Sequence, residues 1–132
     1  MDFSSLVLME KDKETGFITK ELGSFEVEEG ALYVVKLYVI DNVVNLYFDT
    51  NKDVEEWEYS AIFDLFNQEA FVEAGFEIEE DEEEYNPTYI LKMPYIDDYS
   101  QMKESLNKAL SIIKAEMENV FEAIKGKEEE YK

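Results

Sequence analysis

The apolar residues of this chain change their spacing near residue 54, and that change limits the folds open to it. Just before it they alternate with a period of two, the signature of strands; just after it they recur every three to four residues, the signature of helices. In "ALYVVKLYVI" (31–40), Tyr33, Val35, Leu37 and Val39 share one face, and Leu32, Val34, Tyr38 and Ile40 share the other with Lys36. Apolarity on both faces predicts a central strand. Asp41 and Asn42 both tolerate left-handed backbone, so a tight turn is expected there, with "VVNLYF" returning antiparallel. Upstream, "SSLVLME" is a strand candidate, "KDKETG" a loop, and "FITKELGSFEVEE" a second strand with Phe25 and Val27 opposite Glu26 and Glu28.

From Val54 onward Trp57, Ala61, Ile62, Leu65 and Phe66 form a helical stripe. Asp53 stands at the expected N-cap and Glu56, three residues on, completes the pattern of a capping box. The same stretch contains Asp49, Asn51 and Asp53, alternating as a calcium loop opens. An EF-hand loop counted from Asp49 needs Gly at position six and Glu at position twelve. Those positions hold Val54 and Ser60, so a turn into a helix is the better reading and no metal is expected.

"NQEAFVEAG" predicts one further short helix closed by Gly75. The seven acids between Glu77 and Glu84 repel one another and predict an extended, mobile, exposed segment over 77–85. Asn86-Pro87 predicts a turn, and "TYILKMPYI" a last strand whose Pro94 marks an edge or an end. Met102, Leu106, Ala109, Leu110, Ile113, Met117, Val120, Phe121 and Ile124 keep helical spacing through about 99–125. Asp97, Asp98 and Ser100 are its N-cap candidates; residues 127–132 read as a frayed tail. The fold expected is α+β: a single domain over 1–132, with an antiparallel four- to five-stranded meander. The middle helix and the long C-terminal helix would cover one face of it. The second apolar face of 31–40 would then need burial, for which a homodimer is one route.

Composition narrows function mainly by exclusion. There is no Cys, no His and no Arg; all twelve cations are Lys. Thiol nucleophiles, imidazole or thiolate metal sites, Ser-His-Asp catalysis and guanidinium clamps on phosphate are ruled out. Two matches to S-x-x-K, Ser100–Lys103 and Ser111–Lys114, lie in the polar part of one helix without partner motifs and carry no catalytic expectation. No glycine-rich phosphate loop is present, and no apolar run approaches the ~20 residues of a membrane helix. "MDFSSLVLMEKD" lacks a basic region, so a cytoplasmic protein is expected.

The net charge is −21. A field of that sign repels nucleic acid and anionic lipid and attracts basic surfaces. The expectation is a binding module without catalytic residues or cofactor, docking on a basic protein as an inhibitor or adaptor. In its sharpest form it mimics nucleic acid, as small phage anti-defence proteins do. Direct nucleic-acid or membrane binding is not expected. The residues expected to carry the contact are Asp53, Glu55, Glu56, Glu58, Glu77, Glu79, Glu80, Asp81, Glu82, Glu83, Glu84 and Tyr85. Among the tyrosines, Tyr85, Tyr89, Tyr95, Tyr99 and Tyr131 are less clearly placed in the core than the rest, and aromatics among acids suit a basic partner. An alternative is a chaperone-like acidic dimer. In size, acidity and sheet-plus-helices plan the chain is similar to type III secretion chaperones, though it lacks their N-terminal helix. A small enzyme or divalent-metal protein is the third class.

Overall fold

The computed structural model describes residues 4–27 and 29–131, so residues 1–3, Glu28 and Lys132 lie outside it. The class is α+β, but the sheet has six strands and is mixed, in the order β2-β1-β3-β4-β6-β5. β1 (Ser4–Lys11) and β2 (Ile18–Val27) form an antiparallel hairpin. A short 3-10 turn, Glu29–Tyr33, then carries the chain back to the free side of β1. β3 (Val34–Ile40) is therefore laid down parallel to β1, with Glu10 opposite Val39. This parallel pair is why the expected all-antiparallel meander does not form. β4 (Val43–Asp49) returns antiparallel through Asp41 and Asn42, whose φ angles of 51° and 62° make the tight turn anticipated for them.

The long apolar run 31–40 is not one strand with two apolar faces. Its first three residues belong to the 3-10 turn, and a bulge between Val34 and Lys36 leaves Val35 unpaired and 55% exposed. The bulge shifts the alternation, so only Val39 is fully buried and Leu37 partly.

After β4, helix α1 (Glu56–Leu65) and the short α2 (Glu69–Glu73) cross over the sheet to its far edge. Gly75, with φ of 95°, closes α2. The acidic run was expected to stay unpaired, yet its first five residues form the edge strand β5 (Glu77–Asp81), antiparallel to β6 (Thr88–Pro94). Ile78 packs opposite Leu91 and Glu77 lies opposite Lys92, while the edge position leaves the carboxylates in water, which softens their repulsion. Pro94 ends β6, which is an internal strand.

Helix α3 (Tyr99–Ala123) is the element the sequence specified most fully: Met102, Leu106, Ala109, Leu110, Ile113, Met117 and Val120 are all buried. Its N-cap is Asp98, whose side chain accepts from the Gln101 amide at 3.0 Å. Gly30 lets the 3-10 turn sit directly on α3; a Cβ there would stand 2.2 Å from the Leu110 carbonyl oxygen. Residues 128–131 are not frayed: they form α4 (Glu128–Tyr131), which packs against α1.

All helices cover one sheet face. Leu8, Phe25, Val39, Val44, Leu46, Leu91 and Met93 from the sheet meet Ala61, Ile62, Phe71 and the α3 stripe there. Phe48, Phe66, Phe71 and Tyr89 stack at its centre, with Phe66 and Tyr89 centroids 4.4 Å apart. Tyr89, less clearly placed in the core by the sequence, is fully buried, and its hydroxyl has no partner. Burial pushes that phenol well above its ordinary pKa. Leu65, placed on the α1 stripe by its spacing, is instead 37% exposed.

Candidate functional site

The link from β4 to α1 sets where the first acidic run points. Asp49 accepts from the Asn51 amide at 2.8 Å, Asn51 takes φ of 58°, and Thr50 Oγ1 donates to the Lys52 carbonyl at 2.6 Å. This turn uses up more chain than the sequence pattern allowed, so the helix begins two residues late. The N-cap is Glu55, not Asp53, and Glu58 rather than Glu56 is its partner: the Glu55 amide donates to Glu58 Oε1 at 2.9 Å. The Glu55 carboxylate also accepts from the Trp57 indole at 2.9 Å. Asp53 is engaged elsewhere, accepting from Asn86 Nδ2 at 3.2 Å.

That bond joins two parts of the chain thirty-three residues apart. A second tie comes from Tyr59 on α1, whose hydroxyl donates to the backbone carbonyls of Glu82 at 3.0 Å and Glu84 at 3.3 Å. Burial, with Glu82, Asp81 and Glu84 nearby, raises the Tyr59 phenol above its ordinary pKa and keeps it a donor. Gln68, just before α2, donates to Glu80 at 2.8 Å. The acids of 53–58 and of the 82–84 turn are therefore held side by side over the start of α1, while along β5 the carboxylates alternate, Glu80 toward α2 and Glu77, Glu79 and Asp81 toward the open sheet face. Asp53, Glu55, Glu56, Glu77, Glu79, Glu80, Glu82, Glu83, Glu84 and Tyr85 are exposed; Glu58 and Asp81 are half-buried.

Neutralisation of this surface from within is slight. Lys92 reaches Glu79 at 3.5 Å across an exposed pair, and such pairs contribute little. The surface continues onto α4, where Tyr131 donates to Asp64 of α1 at 2.6 Å and brings Glu128, Glu129 and Glu130 alongside. Among the described residues, no three or more carboxylates converge to hold a metal ion.

The uncovered sheet face carries a tyrosine pair that sequence reasoning missed. Tyr38 and Tyr47 face each other across β3 and β4 with hydroxyls 3.1 Å apart. Lys11 lies 4.3 Å over the Tyr38 ring and Lys36 4.7 Å over the Tyr47 ring. The hydrogen bond with Tyr38, then burial, pushes the Tyr47 phenol up to about 12. The available signal was the alternation Lys36, Tyr38 against Asn45, Tyr47; it was obscured because Tyr38 was grouped with the apolar residues. Lys11 and Lys36 thus lie on this face, with Glu79 and Asp81 of the adjoining edge close enough to act on Tyr47.

Among the described residues, no helix is long and apolar enough to cross a membrane. No curated protein and no solved structure matches the chain. A family model does match, over residues 1–132, and the chain belongs to that family, the family of unknown function DUF6762.

Proposed function

We propose that this protein works by binding rather than catalysis, docking its acidic edge on a basic protein as an inhibitor or adaptor. The observation that carries the reading is the Tyr59 tie to the Glu82 and Glu84 carbonyls. Two acidic runs far apart in the chain become one fixed surface through it, and a fixed array of like charges meets a partner at less entropic cost than a mobile one. The net charge of −21 supplies the long-range attraction. DNA carries about one charge per 1.7 Å of its axis, so mimicry of nucleic acid is the finer form of this reading, with the hairpin and α1 providing rows of carboxylates. A chain without Cys suits a reducing cytoplasm.

The test is capture from lysate at low and at physiological salt, with wild type and two charge-neutralised variants. One variant replaces Glu55, Glu56 and Glu58 by Gln; the other replaces Glu82, Glu83 and Glu84. The reading expects basic partners whose association weakens steeply as the Debye length falls from about 30 Å at 0.01 M to about 8 Å at 0.15 M salt. Each variant should weaken capture, because both runs belong to one surface. Partners held equally well by both variants and at all salt concentrations would remove the electrostatic reading and favour hydrophobic, chaperone-like binding.

A further inference from the structure

The β5–β6 turn curls over the end of the open sheet face and walls a cleft of about 290 Å³. Its other side is the β3 bulge, and its walls include Val35, Lys36, Asp49, Glu84, Tyr85 and Asn86. Two features mark this cleft out from the solvated acidic surface beside it. Large side chains stand unburied at its rim: Tyr85 is 79% exposed and Val35 55%. In addition, two carboxylates from different elements, Asp49 at the end of β4 and Glu84 of the β5–β6 turn, stand in its walls. The cleft thus combines an open aromatic ring with two carboxylates. It lies at the lower limit of the ~300–1,000 Å³ of small-molecule sites, a size that suits one long side chain.

We infer that this cleft takes an arginine side chain of the basic partner, as the anchor of the acidic docking surface. The inference rests on that docking reading and names its specificity. A guanidinium is planar, stacks on an aromatic face and offers a fork of N–H donors, so one group can use Tyr85 and the carboxylates of Asp49 and Glu84 together. A lysine ammonium is a compact, strongly hydrated point charge and gains less from stacking. The chain has no arginine of its own to fill the cleft. The one cation among the walls, Lys36, covers the ring of Tyr47 and leaves that of Tyr85 open. Lys36 therefore opposes the incoming charge and tempers affinity.

Two short peptides of identical length and charge, one containing arginine and the other lysine throughout, are titrated calorimetrically at low salt into the full chain. The arginine peptide should bind about tenfold tighter, the scale of one hot-spot side chain. Tyr85→Ala and Asp49→Asn should each reduce that preference sharply while leaving lysine-peptide binding nearly unchanged. Lys36→Met should strengthen binding of the arginine peptide. Amide exchange of the variants checks that the sheet persists. Equal, salt-sensitive binding of both peptides would overturn the cleft assignment and leave the acidic docking surface standing, as would a preference that survives Tyr85→Ala. Binding of neither peptide would overturn both.

Discussion

Tyr59→Phe isolates the contact that turns two acidic runs into one surface. Phenylalanine keeps the ring, and with it the edge-on contact to Phe63, whose centroid is 5.0 Å away. Only the hydroxyl is lost, and with it bonds of 3.0 Å and 3.3 Å to the Glu82 and Glu84 carbonyls. A hydrogen bond of this kind contributes about 0.5–1.5 kcal/mol net. The second bond is long and both carbonyls lie in an exposed turn where water can replace the donor, so the two together should be worth about 1 kcal/mol. Because 1.4 kcal/mol is tenfold in an equilibrium, opening of the 82–86 turn should become about fivefold more frequent. Native-state hydrogen exchange reads this directly. In wild type, amides of Glu77–Asp81 that bond to β6 should exchange slowly and those of the turn faster. In the variant the turn should accelerate while α1 and α3 stay as they were. Capture of a basic partner should weaken in parallel, since a looser turn raises the ordering cost of binding. Turn exchange identical to wild type would show that Tyr59 does not hold the hairpin, and the proposed surface would lose its main support.

Three further outcomes follow from single sites. Gly30→Ala places a Cβ 2.2 Å from the Leu110 carbonyl oxygen, backbone against backbone, and overpacking of this severity should cost at least about 2 kcal/mol in denaturant unfolding; a near-neutral result would mean the 3-10 turn is not seated on α3. Tyr89→Phe removes a buried hydroxyl without a partner and should raise stability by about 1 kcal/mol, whereas a clear loss would show that the hydroxyl is paired in solution. The raised pKa of Tyr47 means that the fold favours its neutral phenol, so this contribution is intact below the ordinary value of 10.0 and is lost as pH climbs toward about 12. Tyr38→Phe removes the largest cause of the shift, and phenolate absorbance should then show Tyr47 titrating closer to 10.0; no change would remove the tyrosine pair as the cause.

What the sequence revealed of the fold depended on how local each cause was. α3 was legible almost residue by residue because its buried stripe, its Asp98 cap and its end all lie within one helix. The Asp41-Asn42 hairpin was legible for the same reason. The parallel placement of β3 beside β1 was not, since alternation specifies that a segment is a strand and is silent about its neighbour. The β3 bulge escaped too: one unpaired residue, Val35, reverses which side chains face the core, and nothing in a run of apolar residues marks where the slip occurs. The N-cap of α1 was displaced by two residues because the Asp49–Lys52 turn is held by its own side-chain bonds and Asp53 is taken by Asn86.

The candidate site divides in the same way. Which residues are acidic could be read directly, and most of them are exposed as expected. That they form one surface could not, because the ties are a tyrosine and an asparagine acting across twenty-three to thirty-three residues of chain. Composition fixes how much charge a protein carries, but its field at short range depends on where the counter-charges go. Here Lys11 and Lys36 lie on tyrosine rings of the open sheet face, outside ion-pair distance of any described carboxylate, while the hairpin edge has little beyond Lys92 to screen it. Charge on the described surface is therefore uneven, and an uneven field would orient the proposed basic partner as well as attract it. Lys36 on one side and Glu84 and Tyr85 on the other bound the cleft where that orientation would be converted into contact.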